Sequence, residues 1–213
     1  MNPAKFLTSA AVVLAGVFLV SCADPNKTAA TAAANGVNPF PPGTYDHFKA
    51  EKTYPKTSNV WKNDELLAKT DASNSHILIS ISKQRGFLMN GDEVVIDYPI
   101  CSGIASRPTP LGTFDIKEKI VDKKSNMYGR IYDASGECVN GNADIAHDTV
   151  PEGGRFEGAA MRYWMRLTGD GVGHHIGPVK RYPASHACVR GPSAVMPIVY
   201  SKVRVGSTVK VED

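Results

Sequence analysis

Three histidines and one cysteine fall within residues 171–192, Gly-Val-Gly-His-His-Ile-Gly-Pro-Val-Lys-Arg-Tyr-Pro-Ala-Ser-His-Ala-Cys-Val-Arg-Gly-Pro. A thiol with an ordinary pKa of about 8.5 becomes a useful nucleophile at neutral pH when a neighbour lowers that value or takes the proton, and imidazole does both. His175 precedes Cys188 by thirteen positions, enough for a strand, a turn at Pro178 or Pro183, and a return that sets base beside nucleophile. On an extended segment adjacent side chains point to opposite faces, so only one of His174 and His175 can face Cys188. Two other uses compete. A free cysteine often serves as a small buried hydrophobe, and His174, His175, His186 and Cys188 could together hold zinc, although no Cys-x2-Cys or His-x3-His spacing supports a metal site.

The elements that must position these residues read as mainly β. From His76, Ile77, Ile79 and Ile81 share one face of a strand and Leu78, Ser80 and Ser82 the other. Asn90-Gly91 suits a type I′ hairpin turn, which pairs Gly86–Met89 with 93–100 antiparallel. Residues 112–120, 128–133, 161–167 and 208–211 are further strand candidates between Gly and Pro punctuation. The outline is a mainly antiparallel β-sandwich or related closed sheet. One short C-terminal helix is expected from Ser193 to about Val205, stopped by Gly206, with Pro197 either kinking its first turns or pushing its start later.

The 213 residues, 42% hydrophobic and 21% charged, suffice for one domain with a substantial core. A net charge of +3 advertises no nucleic-acid footprint, so nucleic acid is not an expected partner. Lys5 and the apolar run 6–20 read as an export signal, residues 1–21, too short for a comfortable membrane span. Leu19-Val20-Ser21-Cys22 resembles a bacterial lipobox, which makes Cys22 the lipidated residue and acyl chains the membrane anchor. Ala23 rather than Asp follows it, which favours the outer membrane, facing the periplasm. Residues 22–43, rich in Ala, Thr, Asn and Pro, are expected to be a flexible tether. Residues 44–75 read as an extension packed on a domain spanning 76–213.

Ser185-His186-Ala187-Cys188-Val189-Arg190 resembles the Ser-His-Gly-Cys-hydrophobic-Arg signature of the YkuD family of L,D-transpeptidases. Cys101-Ser102-Gly103, Thr109-Pro110-Leu111-Gly112-Thr113-Phe114 and Met165-Arg166-Leu167 with Gly173-His174-His175 are similar to other segments of that family. The resemblance runs from about residue 76 to the C-terminus. It implies a β-sandwich of the L,D-transpeptidase catalytic type and cysteine-dependent acyl transfer on peptidoglycan stem peptides. Cys188 would attack the carbonyl of the third stem residue, expel the terminal D-alanine, and pass the acyl group to an acceptor amine. Water as acceptor would make the protein an L,D-carboxypeptidase, and loss of turnover would leave a peptidoglycan-binding lipoprotein. No cofactor is implied, and whether an acceptor protein exists is open.

By the same resemblance His175 is the base, and the backbone N–H groups of His186, Ala187 and Cys188 are oxyanion donors. The His186 side chain and Ser185 then support the loop. Arg190 either binds a stem carboxylate or ties the loop internally, and Tyr163 and Trp164 are candidates to wall the cleft. The family usually has glycine at the position of Ala187 and a larger apolar residue at that of Gly191. If the backbone at Ala187 needs positive φ, alanine costs about 1 kcal/mol of strain. With Cys22 and Cys188 assigned, Cys101 and Cys138 remain, either bridged across 37 positions, for about 4 kcal/mol in the chain-entropy model, or free.

Overall fold

The computed structural model describes residues 38–213. The expected signal segment 1–21, Cys22 and most of the tether lie outside the described residues. Strands run β1 Trp61–Lys62, β2 Ser75–Ser80, β3 Arg85–Asn90, β4 Glu93–Pro99, β5 Gly112–Asp115, β6 Glu118–Ile120 and β7 Lys124–Tyr132. They continue as β8 Cys138–Asp144, β9 Arg155–Ala160, β10 Trp164–Arg166, β11 Gly173–Ile176, β12 Val189–Gly191 and β13 Thr208–Glu212. Among the described residues three helices accompany them, α1 Tyr45–Lys49, α2 Asp64–Ala68 and α3 Met196–Lys202.

The strands form three sheets: a six-stranded one ordered β1-β4-β3-β2-β13-β5, a four-stranded one ordered β12-β11-β10-β6, and a three-stranded one ordered β8-β7-β9. Pairing is antiparallel except for β13 with β2 and β11 with β12, which are parallel. The fold is thus mainly β and mainly antiparallel, as expected, with those two pairs as the parallel exceptions. The first of them seats the last strand inside the large sheet, between β2 and β5.

Register explains the core. Val209 pairs with Ile77, Val211 with Ile79, Ile77 with Leu88, and Leu88 with Ile96, so the apolar positions of four strands share one face. That face meets Met165, Leu167 and Val189 of the second sheet and Val195, Met196, Val199 and Val203 in and around α3, all buried in one cluster. Burial of this kind is worth roughly 1.5–3 kcal/mol for each large aliphatic side chain.

The opposite face of β3 and β4 is also buried, because the chain before β2 lies on it. Arg85 and Asp97, both fully buried, form an ion pair at 2.6 Å. Arg85 further donates to Thr57 O at 3.0 Å and Asn59 O at 3.1 Å, while Asp97 accepts from the hydroxyls of Tyr45 at 2.9 Å and Tyr54 at 3.1 Å. The Arg85 guanidinium lies under the Phe48 and Tyr54 rings. Burial, reinforced by the Asp97 charge, pushes the Tyr54 hydroxyl up to about 12, which keeps it a donor. Two-sided burial is why residues 95–100 are continuously buried rather than alternating.

Several boundaries depart from expectation. The β3–β4 hairpin pairs Asn90 with Glu93, so its two loop residues are Gly91 and Asp92. Only Gly91 has positive φ, 54°, which matches the type II′ pattern, not type I′. Residues 112–120 bend at buried Ile116 into two strands of different sheets. α3 begins at Met196 with Pro197 in its first turn, where a missing N–H costs nothing. Cys101 is buried, Cys138 is exposed, and both are free, so no bridge joins them.

Candidate active site

The parallel pairing of β11 with β12 sets His174 opposite Val189 and His175 opposite Arg190. Side chains alternate along each strand, so His175, Arg190 and Cys188, two residues before Arg190, belong to one side and His174 to the other. His174 is fully buried. Its Nδ1 lies 2.9 Å from Val189 O and its Nε2 2.9 Å from the Tyr98 hydroxyl, with the two rings stacked at 5.9 Å. A carbonyl can only accept, so Nδ1 carries the hydrogen and Tyr98 donates to Nε2. The candidate zinc set is therefore split between two faces.

His175 lines a cleft of roughly 250 Å³ together with Cys188, Ser185, His186, Arg190 and Tyr128. Its Nδ1 donates to Ile176 O at 2.7 Å, which leaves Nε2 as the proton acceptor. Burial drives the pKa of His175 down to about 4, with the neighbouring His174 and Arg190 adding to the shift against its carbonyl partner. Burial also pushes the Cys188 thiol up, opposed by a Gly173 N–H and Arg190 and reinforced by Asp170. The resting pair is thus a neutral thiol and a neutral imidazole. The thiol donates to Gly171 O at 3.8 Å, and no hydrogen bond joins it to His175, as is common before substrate tightens a site.

The loop before Cys188 is held from several sides. Ser185 donates through its hydroxyl to Cys188 O, and its own N–H reaches Ser102 O at 3.0 Å. Thr109 Oγ1 donates to Ala187 O at 2.7 Å and accepts from the Gly103 N–H at 2.9 Å. Gln84 brackets Ser102, taking its N–H and donating to its hydroxyl. Among the described residues, the backbone N–H groups of His186, Ala187 and Cys188 have no protein acceptor. Ala187 has φ of 74°, and neither neighbour is positive. One left-handed residue between others turns successive N–H groups toward a common side, the arrangement that binds anions.

The positive φ answers the question posed by alanine at this position. Ala187→Gly is expected to stabilise the protein by about 1 kcal/mol, raising Tm by roughly 2–4 °C for a domain of this size. Thermal unfolding of the two proteins checks this, and a lower Tm in the glycine variant would contradict it. Gly191 has an equally local reason. A Cβ there would stand 2.4 Å from Met196 Sδ and 3.2 Å from His174 Cε1, so a larger residue would force Met196 aside and crowd the buried imidazole.

The remaining candidates separate. Arg190 ties the loop internally, reaching Ala184 O at 3.4 Å, and its side chain also lines the cleft. The His186 ring stacks on Tyr128 of β7 at 4.4 Å, tying the loop to the three-stranded sheet. Trp164 is buried, with its Nε1 donating to Glu118 at 3.0 Å and its ring 5.7 Å from that of His175. It flanks the imidazole from the adjoining strand, the two rings tilted at 45°, and borders a second cleft. Tyr163 is not brought to the site. With φ of 54°, it turns away to pack edge-on against Tyr200 of α3. Tyr128, Gln84, Ser102 and Thr109 are supports that residue types alone did not mark.

A family model described as the L,D-transpeptidase catalytic domain, YkuD, matches residues 74–211. No curated protein sequence matches the chain. Among solved structures, an L,D-transpeptidase from Mycobacterium smegmatis is 19% identical, covering 66% of this chain and 59% of that one, with a TM-score of 0.49. L,D-transpeptidase 1 of Mycobacterium tuberculosis is 22% identical over 67% and 63%, with a TM-score of 0.46. An L,D-transpeptidase from Stackebrandtia nassauensis is 14% identical over 87% and 73%, with a TM-score of 0.48. This chain matches less than two thirds of the length of either mycobacterial protein.

Proposed function

The chain belongs to the L,D-transpeptidase catalytic-domain family, YkuD, and on that premise we propose that it is a cysteine acyltransferase acting on peptidoglycan tetrapeptide stems. The observation that carries this reading is the β11–β12 register, which puts Cys188 and His175 on one side of a shared cleft beside three unpartnered main-chain N–H groups. As the sulfur attacks the carbonyl of the third stem residue, its proton passes to His175 Nε2. The C–S bond forms, the peptide C–N bond breaks, and D-alanine leaves with that proton. The donation of Nδ1 to Ile176 O holds the ring in the tautomer this requires. Negative charge on the carbonyl oxygen falls to the N–H groups of the 186–188 loop, donors that typically contribute about 3–4 kcal/mol each.

An amine then takes the acyl group, or water does in a carboxypeptidase. Ala187 keeps the left-handed conformation despite its Cβ, and among the described residues the N–H groups of residues 186–188 stay without a protein acceptor. This favours an active enzyme over one that only binds the wall. The test is intact-protein mass after exposure to a carbapenem, which mimics the acyl donor. A single adduct on Cys188 is expected, and its absence from folded protein would sink the reading.

The protein is further proposed to be a lipoprotein of the outer membrane, facing the periplasm, on the strength of residues 1–22 of the sequence. Cys22→Ser is expected to move it from the membrane to the soluble fraction of an envelope preparation. Unchanged membrane association would refute the anchor.

A further inference from the structure

Cys188 opens on two clefts. One holds His175 and Arg190, and the second, of roughly 370 Å³, is lined by Arg107, Lys123, Arg166, Asp170, Gly171 and Cys188 among others. Asp170 is the one carboxylate lining either of these two clefts. It is exposed, in the turn between β10 and β11, next to Gly171, whose carbonyl receives the thiol. Arg107 is already paired with Asp144 and Arg166 with Glu118. Among the described residues, Asp170 and Lys123 have no ion-pair partner.

We propose that Asp170 recruits the acceptor amine through this second cleft and so sets the ratio of acyl transfer to hydrolysis, an inference that rests on the acyl-transfer reading above. Its charge opposes formation of the Cys188 thiolate, so it works against the first half-reaction. Its use is in the second. An ammonium acceptor is drawn to the carboxylate and loses one proton to water. The resulting free amine attacks the thioester carbonyl, the C–N bond forms and the C–S bond breaks. His175 takes the second proton from nitrogen and returns it to sulfur, leaving an amide and a thiol. An acceptor that also carries a carboxylate would satisfy Lys123 in the same cleft.

The test uses a tetrapeptide stem ending in D-alanine as donor and compares two acceptors, Nα-acetyl-lysine amide, which is cationic, and hydroxylamine, which is neutral. Asp170→Asn is expected to raise KM for the lysine amide about fivefold, the scale of one exposed ion pair. Transfer to hydroxylamine and the rate of acyl-enzyme formation should not fall, and Asp170→Glu should restore the lysine-amide KM. Equal effects on both acceptors, or none on either, would overturn the assignment. Absence of acyl-enzyme in the wild-type protein would overturn the transfer reading itself, and this assignment with it.

Discussion

Cys188→Ala is expected to form no acyl-enzyme, and His175→Gln to slow its formation by about 10²–10⁴-fold, the usual worth of a positioned general base. The dependence on His175 is strong because nothing else in the resting site prepares the sulfur. Burial pushes the Cys188 thiol up, and Arg190 and a Gly173 N–H recover only part of that. Proton removal must accompany attack, and His175 Nε2 is the acceptor left once Nδ1 is spent on Ile176 O.

The pH profile follows from the same groups. His175 works as a base only when neutral, and with its pKa near 4 the neutral form persists well below the ordinary histidine value of about 6.5. The acid limb of acylation should therefore fall near pH 4. The raised thiol should let the rate climb with pH above neutrality. Stopped-flow acylation by a carbapenem measures both limbs. An adduct on Cys188→Ala, wild-type speed in His175→Gln, or an acid limb at the ordinary histidine value would each refute this account.

Asp97→Asn is expected to cost about 3–5 kcal/mol, because it leaves the Arg85 guanidinium charged and buried without its counter-ion. The isosteric amide keeps the shape of the site, so the loss reports charge. Arg85 has no exposed surface, and its other acceptors are the carbonyls of Thr57 and Asn59, which carry no formal charge. Tyr45 and Tyr54 converge on the same carboxylate, so the loss should loosen the whole segment before β2. Thermal melting should show a drop of roughly 10 °C or more, with proteolysis entering between residues 45 and 60. A melt within about 2 °C of wild type would mean the pair is not holding the extension.

How much of this was legible in the chain depends on the range of the interaction. The period-two pattern at Ile77 and Ile79, the hairpin around Gly91 and the C-terminal helix whose start Pro197 pushes later are set by neighbours in sequence, and each is present with its edges moved by a few residues. The three-stranded sheet was mostly missed. β8, Cys-Val-Asn-Gly-Asn-Ala-Asp, and β9, Arg-Phe-Glu-Gly-Ala-Ala, are largely exposed and carry no apolar alternation to read. The Arg85–Asp97 pair was equally silent, since two charges in adjoining strands look like surface until a third segment covers them.

The sequence by itself determined that a cysteine, a set of histidines and a strand-rich domain come together, because motif spacing and alternation are properties of consecutive residues. Alternation leaves open which histidine faces the sulfur, and resemblance alone names His175. The tertiary structure decided it physically, because it depends on the register of β11 against β12, segments joined through a loop of a dozen residues. It also decided the sign of φ at Ala187. That angle is imposed where Thr109, Ser185 and Ser102 hold the loop from outside, and alanine, left to its own preference, would avoid it.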